Sequence, residues 1–184
     1  MLKRIFLCAF IILAGIHVCG AHPHVFITPK VEVALDGYTV KKVKILWFFD
    51  KMTSMSMIEY LDADMDGVLS PVETGKIRKE IFPALSAQNY YTNISLDGKK
   101  TVKIKPVNFE ISINSDSILI YSFESVIDVP VKKTFSVYFE DPEIYTAFDF
   151  YRENLKIVGP KGEPVDLPVE EGQRDYATQL IIEF

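Results

Sequence analysis

Apolar residues alternate with polar or small ones along most of this chain, and a period of two is typical of half-buried β-strands. The alternation is clearest in segments 31–35, 43–49, 135–139 and 180–184, and segments 101–113 and 117–127 form a further pair. Asp-Gly turns at 36–37 and 97–98 mark hairpins, and prolines between residues 106 and 168 limit strand length. This pattern predicts a mainly β protein, an antiparallel β-sandwich.

One segment departs from the strand pattern. Residues from Thr53 to about Gln88 carry apolar residues at helical spacing, with an acidic loop between them. We therefore expect a helix–loop–helix insertion at about 53–88, within a single β domain that spans residues 22–184.

The first 21 residues have the layout of a secretory signal peptide. A basic start at Lys3 and Arg4 precedes an apolar run of 14 residues, which is short for a membrane span. Small residues follow at Cys19 and Ala21. We predict cleavage after Ala21 and a periplasmic or otherwise extracytoplasmic protein that does not span the membrane after processing. A lipoprotein signal at Cys19 and an uncleaved anchor are the alternatives.

Processing would change both the charge and the sulfur chemistry of the chain. Both cysteines, Cys8 and Cys19, lie in the signal, so the mature domain would have neither a disulfide nor a thiolate site. The net charge would move from −5 to −7 as two basic residues are removed. An acidic domain is a poor partner for nucleic acid, whose phosphates require a basic face, but it suits cations.

The sequence "DADMDGVLSPVE", residues 62–73, matches the twelve-residue EF-hand calcium loop. Gly67 occupies the sharp turn at position 6, and apolar stripes flank the loop on both sides. The candidate Ca²⁺ ligands are Asp62, Asp64, Asp66, the Val68 carbonyl, Ser70 through a water, and bidentate Glu73. A solvated acidic loop with a chance glycine is the alternative. A single loop favours a structural role over switching.

Two histidines, His22 and His24, stand at the expected start of the mature chain. The free amine and the imidazole of His22 could chelate one metal ion together, which suits copper. Pro23 lacks the amide N–H that a square-planar amino-terminal copper site requires.

The first hairpin suggests a third ligand for the histidine pair. Both of its strands carry apolar residues at odd numbers, so a three-residue loop over 36–38 would pair Ile27 with Trp47. The same register sets His24 opposite Asp50, on the face of His22. Together the three side chains would suit zinc, nickel, cobalt or copper. A bulge would shift this register, solvated histidines are common, and Asp50 could equally begin the helix that follows.

The mature chain offers little for covalent catalysis. Its two histidines are two residues apart and it has no cysteine, which argues against Ser-His-Asp or Cys-His chemistry. We therefore expect no enzymatic activity, with a copper-dependent oxidase that uses the His22 amine as the outlying alternative.

Five motifs together resemble a known family. They are "AHPHVFI", "WFFDKMTS", "DADMDG", "YYTNISLDGK" and "DPEIYTAFDF", and they run through nearly the whole mature chain. The chain resembles the domain-of-unknown-function 1007 family, also described as a periplasmic component of an uncharacterised ABC-type transport system. Members are often encoded near nickel/cobalt efflux permeases, which implies a role in metal handling. His22, His24 and Asp50 fall in its motif positions, although the resemblance brings no established ligands.

A second, looser similarity is to copper-carrying periplasmic sandwiches, whose further histidines and methionine-rich loop this chain lacks. The leading hypothesis is an exported metal-binding accessory protein. It would bind Ca²⁺ and exchange a transition metal with an inner-membrane transporter or permease. The alternative is a calcium-stabilised interaction module without a transition-metal role.

Overall fold

The structure of the chain is a computed structural model that describes residues 24–98 and 100–184. The expected signal peptide, its cleavage site and His22 lie outside the described residues. Within the described ranges, no helix is long and apolar enough to cross a membrane.

The described chain is mainly β and forms two sheets. The strands are β1 (Val25–Asp36), β2 (Thr39–Phe49), β3 (Thr92–Leu96), β4 (Lys100–Thr101), β5 (Pro106–Ile113), β6 (Leu119–Pro130), β7 (Thr134–Phe139), β8 (Thr146–Phe148), β9 (Leu155–Val158), β10 (Val169–Arg174) and β11 (Ala177–Glu183). The first sheet has the order β5-β6-β2-β1-β8, with β9 also paired to β1, and the second has the order β10-β11-β7-β3-β4.

The two sheets share one apolar core. The alternating residues of the four clearest segments are buried, apart from the half-buried Phe184. Trp47 packs edge-on against Phe123 with ring centroids 5.3 Å apart. Phe148 of the first sheet stacks on Phe139 of the second with centroids 5.7 Å apart. The mainly β character is therefore confirmed.

The first sheet is mixed, so the expectation of purely antiparallel strands was wrong. Strand β1 pairs antiparallel with β2 along one edge, but it pairs in parallel with both β8 and β9 along the other. The chain reaches this second edge of β1 only after five further strands that are divided between the two sheets. Such a crossover connection allows a strand to return in the same direction, which a tight hairpin cannot do.

The register of the first hairpin also differs from the expected one. Ile27 pairs with Phe49 rather than with Trp47. A two-residue turn, 37–38, joins the strands, and an irregularity between Ala34 and Leu35 adds one residue on the β2 side. The turn alone would pair odd with even positions, and the bulge restores equal parity. Both strands therefore keep their apolar residues inside, two positions away from the expected pairing.

The insertion between β2 and β3 contains one regular helix followed by an irregular segment. Helix α1 covers Lys51–Leu61. After the acidic loop come a π-helical turn (Ile77–Ile81), α2 (Phe82–Ala84) and a 3-10 segment (Leu85–Tyr91), and a second 3-10 turn covers Arg152–Asn154 in the later chain.

The expected outgoing helix is therefore not a continuous α-helix. Pro83 has no N–H to donate, so the α-helical ladder is interrupted next to the π-helical turn. Positive φ angles at Asn89, Tyr90 and Tyr91 then end the helical path.

Ser54 attaches α1 to the first sheet. Its side chain is fully buried, its hydroxyl donates to the Phe49 carbonyl at 3.3 Å, and it accepts a hydrogen bond from the Leu119 N–H at 3.0 Å. Because these partners belong to β2 and β6, Ser54 sets which face of α1 lies against the sheet.

We expect Ser54→Ala to lower the free energy of unfolding by about 1–3 kcal/mol, because the buried Leu119 N–H loses its acceptor. Urea denaturation followed by circular dichroism measures the change. Ser56→Ala, at an exposed position of the same helix, is the matched control and should shift stability by less than about 0.5 kcal/mol. Equal effects of the two substitutions would contradict the anchoring role.

Candidate metal centre

Three aspartates converge in the loop that follows α1. One carboxylate oxygen from each of Asp62, Asp64 and Asp66 lies within 4.8 Å of the other two. Asp62 is buried, whereas the other two are exposed. The backbone N–H of Asp62 donates to the Ile58 carbonyl at 2.8 Å, so the end of α1 fixes the first residue of the cluster. Among residues 24–98 and 100–184, no other group of three or more His, Cys, Asp or Glu side chains lies so close together.

Backbone N–H groups turn inward and reduce the repulsion between these carboxylates. Asp62 accepts from the N–H of Asp66 at 3.1 Å and from that of Gly67 at 2.9 Å. Asp66 in turn accepts from the Val68 N–H at 2.7 Å. Gly67 has a φ of +78°, a conformation that a residue with a side chain adopts only with strain. The tight turn thus depends on glycine at this position.

Glu73 closes the loop from its far end. Its two carboxylate oxygens accept from the Ala63 N–H at 2.8 Å and from the Ser70 N–H at 2.7 Å. Hydrogen bonding with the Ser70 side chain, then with the Ser70 and Ala63 backbone, holds the pKa of Glu73 below its ordinary value. Glu73 is therefore ionised at neutral pH and lies beside the first residues of the loop.

The other two residues of the sequence pattern occupy the middle of the loop. Ser70 Oγ accepts from the Glu73 N–H at 3.3 Å, and the Ser70 carbonyl accepts from the Thr74 N–H at 3.1 Å. The Val68 side chain is exposed. The loop is thus held by its own hydrogen bonds. Its three aspartates lie close together, and Glu73 is hydrogen-bonded to Ala63 at the other end of the loop.

Asp50 lies across from Phe26 rather than from His24. Its backbone N–H donates to the Phe26 carbonyl at 2.9 Å, and its Oδ2 accepts from the Phe26 N–H at 3.2 Å. Its carboxylate also caps α1, accepting from the Thr53 N–H at 3.0 Å and from the Thr53 hydroxyl. The expected His24–Asp50 pairing was wrong, because the hairpin register differs by two residues. Asp50 instead begins the helix, the alternative left open above.

These hydrogen bonds also control the charge of Asp50. Partial burial acts to raise the pKa of Asp50, but hydrogen bonds from Thr53 and Phe26 outweigh it and leave the pKa below its ordinary value. The carboxylate is ionised at neutral pH and its oxygens are occupied by donors.

His24 lies beside Tyr145, the residue that precedes β8. Its backbone N–H donates to the Tyr145 carbonyl at 2.8 Å, and the centroids of the imidazole and the Tyr145 ring are 5.2 Å apart. The side chain is exposed. Sequence reasoning noted the motif that contains Tyr145 but had no signal for its position, because β8 reaches β1 only through the tertiary fold.

A cavity of about 330 Å³ opens next to β8 and was also missed from the sequence. Glu140, Asp141 and Asp149 line it together with apolar residues of β7, β8 and β11. Asp141 is buried and already accepts from the N–H groups of Glu143 at 3.0 Å and Thr146 at 2.9 Å. This carboxylate therefore shapes the 141–146 turn.

Comparison with known proteins gives a family but no activity. A family model described as "Protein of unknown function (DUF1007)" matches residues 7–179. No curated protein matches the chain.

We expect Asp50→Ala to lower the free energy of unfolding by about 1 kcal/mol at pH 7, because α1 loses its N-cap. The lowered pKa means that the ionised carboxylate stabilises the fold above its ordinary pKa of 3.8. The difference between parent and variant should therefore shrink as the pH falls below that value. Urea denaturation between pH 7 and pH 3 measures it.

Asp36→Ala, at an exposed position in the first hairpin, is the control and should change stability little at any pH. A loss with Asp50→Ala no larger than with Asp36→Ala would contradict the capping role.

Proposed function

Since this chain belongs to the family described as a protein of unknown function (DUF1007), a description that assigns no activity, we propose a function from its own residues. It is an exported periplasmic accessory protein without enzymatic activity. It binds Ca²⁺ in the loop 62–73, and it carries a transition metal to or from an inner-membrane transporter or permease.

The convergence of Asp62, Asp64 and Asp66 carries the calcium proposal. One carboxylate oxygen of each lies within 4.8 Å of the other two, and a bound cation would offset the repulsion that the backbone N–H donors only reduce. Ca²⁺ takes six to eight oxygen ligands, and the Val68 carbonyl, a Ser70-bound water and both oxygens of Glu73 would complete such a set. The bonds that Glu73 makes to Ala63 and Ser70 would be exchanged for bonds to the ion.

The same proposal gives the fold a more specific description. Two sheets around one core support a β-sandwich, and α1 before the loop with a helical segment after it supports an EF-hand-like insertion. In such an insertion Ca²⁺ would tie the end of α1, through Asp62, to the start of the second segment, through Glu73. The calcium role is therefore structural.

The transition-metal part of the proposal rests on the histidines. His24 is exposed at the beginning of β1, and His22 precedes it by two residues. We propose that this pair binds nickel, cobalt, zinc or copper. Asp50 could join them only by giving up its bonds to Thr53 and Phe26, so it contributes little to the affinity.

One observation favours the alternative of a calcium-stabilised interaction module. Large apolar side chains are exposed on and around the loop, among them Met65, Val68 and Val72. A protein partner could cover such a surface. In that case the histidines would play no part in metal handling.

We expect one Ca²⁺ to bind per chain and Asp62→Ala combined with Glu73→Gln to abolish the binding heat, because both ends of the ligand set are lost. Isothermal titration calorimetry measures the heat. At a free Ca²⁺ concentration of 100 times Kd, the parent should gain about 2.7 kcal/mol in the free energy of unfolding, and the variant should gain nothing.

Asp36→Ala combined with Glu170→Gln removes two exposed carboxylates outside the loop and is the matched control. It should bind Ca²⁺ as the parent does. The calcium proposal fails if the loop variant and the parent release the same heat.

For the histidine pair, we expect Zn²⁺, Cu²⁺ or Ni²⁺ to bind at pH 7.5 and to be lost at pH 5, since imidazoles release metal as they are protonated. His22→Ala combined with His24→Ala should abolish the binding. Asp50→Ala should leave it within about twofold, because Asp50 caps α1. Calorimetric titration of the parent, the double histidine variant and Asp50→Ala measures the three affinities.

Unchanged affinity in the histidine variant would remove this part of the proposal and leave the interaction module. A separate titration of the same proteins with Ca²⁺ tests the calcium proposal independently of the histidine result.

A further inference from the structure

The methionines of this chain are concentrated in one short region. Four of the five lie between residues 52 and 65, and three of these are on α1. Met57 is half-buried against the apolar core, but Met52 and Met55 are 69% and 58% exposed. Packing in the core therefore explains Met57 and does not explain the other two.

The anchoring of α1 fixes the orientation of the exposed pair. Ser54 and Leu61 are buried on the inner face of the helix, and Ser54 is hydrogen-bonded to both neighbouring strands. Met52 and Met55 are three residues apart on the outer face, where such residues are neighbours with Cβ atoms about 5–6 Å apart. Their flexible thioethers can therefore meet over the helix surface.

An exposed carboxylate lies next to the pair. Glu59 follows Met55 by four residues, so it lies one turn further along the same outer face. Glu59 makes no ion pair among the described residues. One negative charge thus lies on the helix face that carries both thioethers, one turn from Met55 and two turns from Met52.

We propose that Met52, Met55 and Glu59 form a surface site for a soft monovalent metal ion, Cu⁺, with Ag⁺ as its analogue. Thioethers are soft ligands that select Cu⁺ over hard divalent ions. Both cysteines precede residue 22, so thioethers are the soft donors of the proposed mature domain, and Met52 and Met55 are the two exposed ones on α1. Glu59 neutralises the single charge of the bound ion.

This site goes beyond the proposed function and differs from it in chemistry. The loop 62–73 offers oxygen donors, and the histidines offer nitrogen donors that protonate at low pH. A thioether has no titratable proton, so the methionine site keeps its ion at pH 5. This difference separates the sites experimentally, although Glu59 is only three residues from the start of the acidic loop.

The test is calorimetric titration of Ag⁺ at pH 5 into the parent protein and two double variants. Met52→Leu with Met55→Leu removes the proposed ligands but keeps the apolar volume and the helix propensity. Met57→Leu with Met65→Leu removes the same number of thioethers outside the site. The parent and the second variant should each bind one Ag⁺ with equal affinity, and the first should bind at least tenfold more weakly.

Glu59→Gln should weaken Ag⁺ binding severalfold, because the compensating charge is lost. Zn²⁺ in tenfold excess should not displace Ag⁺, and Ca²⁺ binding should be the same in all the methionine variants. Circular dichroism checks that each variant is folded. The proposal is overturned if the parent does not bind Ag⁺ at pH 5, if Met52→Leu with Met55→Leu binds as the parent does, or if both double variants lose the ion equally.

Discussion

The pairing of β1 with β2 sets the position of the elements that follow it. Strand β1 has β2 along one edge and both β8 and β9 along the other, so it organises the first sheet. Its register with β2 results from a two-residue turn and one bulge. That combination keeps Val31, Ile45 and the other apolar residues of both strands inside, and it sets Asp50 across from Phe26. A shift of two residues would bury the same face but would set a different residue of β1 across from Asp50.

Asp50 links the register of the first hairpin to the start of the inserted helix. It ends β2 with a backbone hydrogen bond to Phe26 and starts α1 with its carboxylate. Ser54 then fixes the rotation of the helix against β6. As a result, Leu61 points inward immediately before the acidic loop, and Met52 and Met55 face outward. The proposed calcium and soft-metal sites therefore depend on the same two anchoring residues.

The two metal signals in the sequence differ in range, and the structure brings the aspartates of the first together but does not pair His24 with Asp50. The aspartates of the loop lie within five residues, so local hydrogen bonds around a positive-φ glycine suffice to bring them together. The pairing of His24 with Asp50 extended a register over 26 residues, and a shorter turn together with one bulge changed it by two residues. The prediction of a continuous outgoing helix was wrong for a local reason. Pro83 and the positive φ angles after Gln88 interrupt the helical backbone.

The sequence by itself determined the mainly β character, the buried face of each long strand and the grouping of the loop aspartates. Each depends on a period of two or on neighbours within a few residues, where covalent geometry sets the distances. The tertiary structure alone decided that β8 and β9 lie parallel to β1, that His24 lies beside Tyr145, and that Asp50 lies across from Phe26. These contacts join distant segments, and their positions depend on turn lengths, a bulge and shared core packing that no local pattern specifies.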